Sequence, residues 1–352
     1  MKKLNVAVFF GGCSSEYSVS LESASAVIQN LDRTKYQPIP VGITKEGDWF
    51  YYTGTVAAIK ADMWQKDENC IPAALSPNRS DRCLILLKKS GIEKLAVDVA
   101  FPVLHGKNGE DGTIQGAIAL AGIPIAGCGV LASALCMDKD RAHKLAAAAG
   151  VRVPQAVVLS QCTDRNTAAE FAIRIGYPLY VKPVKAGSSY GITKVTGPEN
   201  LQNAITLAFQ YDDQVIIEEN IEGFEVGCAV LGNEEHLLTG EIDEIELSGG
   251  FFDFTEKYTL KTSAIHVPAR ICTEKAKELK RTAKVIFQAL GCSGFARVDM
   301  FLTPQEEIVF NEINTIPGFT EHSRYPGMMK AAGHSFAEIL DRILELAMKD
   351  TD

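Results

Sequence analysis

The stretch Arg297-Val-Asp299-Met-Phe, then Thr-Pro-Gln-Glu-Glu, then Ile-Val-Phe-Asn-Glu312-Ile-Asn314 reads as two short strands around a tight turn. Alternation along a strand puts Arg297 and Asp299 on one face, and Glu312 and Asn314 on one face of the partner. A turn closing on Gln305 and Glu306 then sets Asp299 opposite Glu312 and Arg297 opposite Asn314. The apolar residues between them, Val298, Met300 and Phe301 with Ile308, Val309, Phe310 and Ile313, predict a largely buried hairpin. Opposed carboxylates repel, and buried acids need a partner, so a cation between them is the arrangement that makes sense of the pattern. Mg²⁺ takes one or two carboxylates plus substrate phosphates, and an arginine beside it stabilises charge on a transferring phosphoryl group. The alternative is plainer: Glu312 and Asn314 begin a solvated loop, and Arg297 only neutralises Asp299. The working expectation is an enzyme that uses ATP.

At 352 residues, with 46% hydrophobic content, the chain has material for two to three domains with buried cores. The formal net charge is -9, with no long basic run, which argues against a nucleic-acid partner. No apolar segment reaches membrane-spanning length, and the N-terminal run Met-Lys-Lys-Leu-Asn-Val-Ala-Val-Phe-Phe suits a first strand better than a signal peptide. Nine scattered cysteines without paired short spacings read as reduced thiols of a cytoplasmic protein. Cys13, inside the first glycine loop, reads as a small packing residue ahead of a nucleophile.

Strand and helix signals alternate through the first part. They run Val6 to Phe10, a helix from about Ser18 to Leu31, Ile39 to Ile43, Val97 to Phe101, a helix Thr113 to Ala121 and a short strand Pro124 to Ala126. That order predicts an α/β unit with a parallel sheet flanked by helices, its ligands at the carboxyl ends of the strands. Those ends carry Gly11-Gly12-Cys-Ser-Ser-Glu16 and His105-Gly-Lys-Asn-Gly-Glu110-Asp-Gly. A helical run, Val130 to Ala149, forms a boundary. The expected units are 1–130, 131–223 and 224–352, with a polar, glycine-containing lid at about 243–263.

After the strand Tyr180-Val-Lys182 comes Pro-Val-Lys185-Ala-Gly187-Ser188-Ser189-Tyr-Gly191. Glycines with small hydroxyl residues let backbone amides close on an anion. The lysine precedes the glycines, so this is not a Walker motif; alone, it equally suits a hairpin turn. Val215-Ile-Ile-Glu218-Glu-Asn-Ile221-Glu-Gly-Phe-Glu225 is a strand running into a turn, whose acids either meet adenine and ribose or are simply solvated.

Together these motifs resemble the ATP-grasp ligases: lysine before Gly-Ser-Ser, the Ile-Glu-Glu linker, Arg-x-Asp on one strand and Asn-Glu-x-Asn-x-x-Pro-Gly on the next. Gly-Gly-x-Ser-x-Glu at the start, His-Gly-x-x-Gly-Glu-Asp-Gly in the first unit and Glu-Lys-Tyr in the lid make the whole chain similar to the D-alanine:D-alanine ligase family. The resemblance implies an N-terminal doubly wound parallel-sheet domain and two α+β subdomains gripping ATP. It also implies an ADP-forming ligase that phosphorylates D-alanine and lets a second substrate's amine attack the acyl phosphate. Carried onto matching positions, Glu16 binds the first ammonium in a network with Ser188 and Tyr258. Lys139 and Lys182 meet phosphates, Glu218 faces adenine and Glu225 the ribose, with Ser189 and Ile221 also binding the nucleotide. Asp299, Glu312 and Asn314 hold two Mg²⁺, or Mn²⁺ in their place. Arg297 with the Gly318 amide forms the oxyanion hole, Lys257 and Ser323 hold the second carboxylate, and His105 orients or deprotonates the second substrate. A homodimer is also implied.

Departures from the family pattern concern the second substrate. The lid carries Phe252-Asp253-Phe254 where Tyr-Asp-Tyr is usual, and Arg324 follows His322-Ser323 where an apolar residue is usual. Tyr258, which D-lactate ligases lose, is kept. Phe252 with Arg324 resembles the D-serine ligases of glycopeptide resistance, a guanidinium helping to arrange a pocket around a hydroxyl, with Asp243 a further candidate. The alternatives are an ordinary D-alanyl-D-alanine ligase and, more remotely, a non-catalytic ATP-binding module.

Overall fold

The computed structural model describes residues 3–66, 68–163, 166–187, 190–233, 236–247 and 263–349. Among the described residues no helix is long and apolar enough to cross a membrane. Val6 to Phe10 form the fully buried part of β1 (Leu4–Gly11), as a near-continuous apolar run should in a central parallel strand. After α1 (Tyr17–Asn30) the chain continues into β2 (Tyr36–Ile43), β3 (Trp49–Tyr52), α2 (Val56–Lys60), β4 (Cys70–Leu75), β5 (Cys83–Lys88), β6 (Gly91–Ala96), β7 (Val99–Pro102) and α3 (Thr113–Leu120). The sheet order is β6-β5-β4-β3-β2-β1-β7. The expected parallel pairing is present for β2-β1-β7; β3 to β6 extend it as an antiparallel meander. The expected strand Pro124 to Ala126 contributes a single parallel bridge, Ala100 to Ile125.

The predicted continuous helix from Val130 to Ala149 is two helices, α4 (Val130–Met137) and α5 (Lys139–Ala148). Asp138 between them is extended, and its carboxylate accepts the Arg141 amide at 3.0 Å. An aspartate at an N-cap offers the backbone an alternative to continuing the helix, and the restart makes Lys139 the first residue of α5. Both helices pack with the C-terminal sheet described below.

Next come β8 (Ala156–Ser160), α6 (Asn166–Ile175), β9 (Leu179–Pro183), β10 (Thr193–Val195), α7 (Leu201–Ala208) and β11 (Gln214–Glu219), an antiparallel sheet of order β10-β9-β11-β8. The third sheet uses β12 (Phe224–Asn233), β13 (His236–Thr239), β14 (Asp243–Leu247), β15 (Ser263–His266), β16 (Phe295–Leu302) and β17 (Ile308–Asn314). Its order is β15-β14-β12-β16-β17, with β13 also on β12. The helices α8 (Thr273–Ala289), α9 (Arg324–Ala331) and α10 (Phe336–Lys349) accompany it. One face, with Val226, Val298 and Met300, packs on α8, α4 and α5. The other, with Ala229, Leu231 and Phe295, shares one core with α9, α10 and the buried faces of α1, β1 and β7. That shared core fixes the first sheet against the third and so holds the site between them.

The β16–β17 hairpin pairs Asp299 with Glu312 and Arg297 with Asn314, as expected, but by a different route. The turn is a five-residue loop closed by Thr303 to Glu307, with Glu306 at φ 60°. It shifts the register by one, so Met300 faces Phe310. Asn311 is then an extra residue, a β-bulge, which restores the opposition of Asp299 and Glu312.

Candidate active site

Two clefts of about 620 and 650 Å³ lie between the three sheets, and Lys139 and Glu312 border both. Their charged ends are 3.9 Å apart. The first cleft is bordered by Glu16, His105, Arg297, Gly318, Ser323 and Arg324; the second by Lys182, Glu218, Ile221 and Glu225. Residues predicted from motifs up to about 300 positions apart therefore meet in two chambers joined at one waist. Ser188, Ser189, Phe252, Lys257 and Tyr258 lie outside the described residues.

Glu16 stands at the start of α1 without capping it and is 8% exposed. Gly106 and Gly187 close over its carboxylate: a Cβ on Gly187 would come within 2.9 Å of Oε2, and one on Gly106 closer still. The carboxylate thus touches the first unit's His-Gly turn and the residue just before Ser188.

His105 is 4% exposed, and both its ring nitrogens are engaged. Nδ1 lies 2.8 Å from the Ile316 carbonyl, which can only accept, so Nδ1 carries the proton. Nε2 is 3.2 Å from Ser23 Oγ, which in turn accepts the Phe319 amide. Burial holds His105 below its ordinary value. Glu110 accepts the amides of Gly106 at 2.9 Å and Ile316 at 3.1 Å. The segment Ile316 to Phe319, which includes Gly318, is thereby fastened to the first unit by Ser23, His105 and Glu110. Ser23 was not singled out in the sequence; Glu110 was visible in the His-Gly motif but given no role.

Burial, then the charge on Glu16, push Glu110 up to about 8, from 4.5, against the pull of its two amide donors. A carboxyl raised on folding contributes stability that is complete below about pH 4.5 and is lost as the pH climbs through about 8. Glu110→Gln should therefore flatten the fall of unfolding free energy over that window, measured by urea titration at a series of pH values. An unchanged slope would show that Glu110 is ionised in the native state throughout.

Asp299 is 1% exposed. It takes a forked ion pair from Arg297, at 2.8, 3.0 and 2.6 Å, and the Asn314 amide at 3.1 Å, with Arg324 Nη2 3.3 Å away. Arg324, at the first turn of α9, makes two further bonds to Asp243 at 2.7 and 2.8 Å and one to Glu225 at 2.9 Å. Gly227 of β12, paired with both Asp243 and Asp299, makes room for this cluster. A Cβ there would sit 2.5 Å from Arg324 Nη2 and 2.5 Å from Asp243 Oδ1. Ser323 precedes α9 and turns its hydroxyl back to Thr320, accepting its amide at 3.0 Å and leaving the helix start uncapped by a side chain.

In the second cleft Lys182 pairs with Glu218 at 2.6 Å. Burial works against both charges, but their mutual attraction outweighs it: Lys182 is held above its ordinary value and Glu218 below, the latter also drawn down by His143. Tyr180, Lys194 and Phe301 also border this cleft; Tyr180 shares β9 with Lys182, and Lys194 pairs with Tyr180 from β10, but nothing in their own pattern marked them.

Among the described residues no three of His, Cys, Asp and Glu are grouped to hold a metal. The candidate set instead offers two opposed carboxylates and an amide. Asn314 spends Nδ2 on Asp299, leaving Oδ1 as its side-chain acceptor. Oxygen donors near Lys139 and Arg297 suit a hard divalent cation carrying phosphates.

Three sheets clamp two clefts joined at Lys139 and Glu312, with Arg297 on one side and Lys182 on the other, an arrangement suited to an ATP-dependent ligase. The model of the D-ala D-ala ligase N-terminus matches residues 5–128, and that of the C-terminus residues 145–345. The chain is 44% identical to the vancomycin/teicoplanin A-type resistance protein VanA of Enterococcus faecium, over 99% of this chain and 100% of that one. It is 42% identical to a D-alanine–D-alanine ligase of Caldicellulosiruptor bescii, over 99% and 96%. Among solved structures, the VanG D-Ala:D-Ser ligase from Enterococcus faecalis superposes with a TM-score of 0.92 at 54% identity, covering 98% of this chain and 100% of that one. The chain belongs to the D-alanine–D-alanine ligase family, whose members form dipeptides from amino acids with ATP and Mg²⁺.

Proposed function

We propose that the chain joins D-alanine to D-serine through a D-alanyl phosphate, in the cytoplasm and as a homodimer, supplying a cell-wall precursor that confers vancomycin resistance. The observation behind the D-serine choice is Arg324, bordering the first cleft and held by Asp243 and Glu225 at 2.7–2.9 Å. A fixed guanidinium offers donors to a hydroxyl, and a site that hydrogen-bonds a hydroxyl disfavours the analogue without it. The likeness to a D-Ala:D-Ser ligase at 54% identity supports the same choice. In this reading residues 1–130, 131–223 and 224–352 are the three units, Phe252 completes the acceptor pocket, and Asp243, fully buried and bordering neither cleft, acts through Arg324, which it holds by both oxygens.

Glu16, with Ser188 and Tyr258, holds the ammonium of D-alanine so that its carboxylate faces the waist. Lys139, Lys182 and Ser189 hold the phosphates of ATP, with adenine at Glu218 and Ile221 and the ribose at Glu225. Asp299, Glu312 and Asn314 would hold two Mg²⁺, or Mn²⁺, which supply neutralisation of phosphate charge. A carboxylate oxygen of D-alanine attacks the γ-phosphorus and ADP leaves, converting a poor electrophile into one with phosphate as leaving group. Lys257 and Ser323 hold the carboxylate of D-serine, whose amine attacks the acyl carbon. Arg297 and the Gly318 amide receive the developing oxyanion. His105, with both nitrogens engaged, orients the Gly318 segment and so the acceptor.

The test is ADP release with ATP, Mg²⁺ and D-alanine, with and without equimolar D-serine, the product identified by mass. D-alanyl-D-serine should predominate. Predominant D-alanyl-D-alanine would favour a ligase of ordinary cell-wall synthesis, and no substrate-dependent ADP would indicate a binding module.

A further inference from the structure

We infer that His143 is a positioning residue, holding the bulge that orients Glu312; this rests on the metal reading proposed above. His143 lies one turn after Lys139 on α5, hence on the same face, and is 5% exposed. Its Nε2 is 2.7 Å from the carbonyl of Asn311, which can only accept, so Nε2–H donates. Asn311 is the residue left out of the β16–β17 pairing, so its partly buried carbonyl takes a donor from outside the ladder. The ring stands edge-on to Phe310, 5.5 Å between centroids. Its Nδ1 faces Glu218 Oε1 across 3.7 Å, and neither atom has a hydrogen-bond partner.

The bulge decides where Glu312 points. Without it the register that sets Met300 opposite Phe310 would continue, Asn311 would face Asp299, and Glu312 would turn to the opposite side of the sheet. By bonding the bulged carbonyl, His143 favours the kinked strand over the regular one.

The experiment measures metal binding directly. Mn²⁺ is titrated into the full chain with a non-hydrolysable ATP analogue present, free Mn²⁺ being counted by paramagnetic resonance, and the Mg²⁺ dependence of ADP release is recorded alongside. His143→Leu should raise the Mn²⁺ Kd and the Mg²⁺ half-saturation about tenfold, the equivalent of one lost buried hydrogen bond. Its kcat at saturating Mg²⁺ should change much less. His143→Asn, too short to reach Asn311, should behave like the Leu variant, and gives the same reading if Leu does not fold. His143→Gln, which returns an N–H donor near the position of Nε2, should restore binding to within about threefold. Parental Mn²⁺ affinity in the Leu or Asn variant, or a Gln variant no better than Leu, overturns the inference. Glu312→Gln run in parallel separates the two ideas: if it too leaves Mn²⁺ affinity unchanged, the metal reading itself has failed.

Discussion

Arg324→Leu should lower folding stability by roughly 3–5 kcal/mol, the cost of leaving buried carboxylates without the cation they were paired with. The side chain is 9% exposed and faces Asp243, at 0%, and Asp299, at 1%, with Glu225 completing the set. Burial works against the charge on this guanidinium, and the three carboxylates, Asp243 first, outweigh it, holding it well above its ordinary value. A leucine removes the guanidinium that bonds both oxygens of Asp243 and leaves that fully buried acid only the longer-range attraction of Arg297. Adding Asp243→Asn should recover a large part of the loss, because an amide costs far less to bury than a carboxylate. On that folded double variant, competition between D-serine and D-alanine at equal concentration should shift toward D-alanine by roughly ten- to a hundredfold. Urea unfolding measures the first effect and product mass the second. A stable single variant would mean that the cluster does not depend on Arg324, and an unchanged product ratio in the double variant would remove Arg324 from substrate choice.

The same cluster explains what the sequence could and could not convey. Arg324 stood out as a departure from a family pattern, which pointed to the acceptor. Its partners come from β12 and β14, 99 and 81 residues away, and only the sheet brings them together. Gly227 is the clearest case. As a strand glycine between Val226 and Cys228 it carries no sequence signal, yet its missing side chain is what lets Arg324 reach Asp243.

Local patterns were legible where one element determines the outcome. The apolar run of β1, the helix α1 and the pairing of Asp299 with Glu312 follow from periodicity. The hairpin shows the limit of that reading, since the right pairing came from a turn that is one residue off and a bulge that compensates. The helix from Val130 failed at Asp138, where a single capping carboxylate redirects the backbone; the Asp-Lys-Asp run at 138–140 was the available signal. The meander β3 to β6 has short strands of mixed burial, too weak in alternation to stand out. His143, Ser23 and the role of Glu110 depend on contacts 82 to 206 residues apart, which no local pattern encodes.

Glu312→Gln should reduce ADP formation by roughly two to three orders of magnitude, in the range seen when one charge-stabilising group is taken from a transition state, with little change in unfolding free energy. The position separates chemistry from folding unusually well. Glu312 has a 25% exposed side chain, stands 3.9 Å from Lys139, and borders both clefts; glutamine keeps its shape and loses only the charge. Asp299→Asn would not give so clean a result. Asp299 accepts from Arg297 and Asn314 and forms an ion pair with Arg324 at 3.3 Å, so neutralising it leaves two buried guanidinium groups competing for less negative charge and destabilises the sheet as well as the site. Comparing the pair by urea unfolding and ADP release therefore distinguishes a metal ligand from a structural acid. The expected pattern is loss of turnover in both and loss of stability mainly in Asp299→Asn. Full turnover in Glu312→Gln would mean that the carboxylate facing Asp299 holds no catalytic cation, and that Lys139 and Arg297 alone carry the charge of phosphoryl transfer.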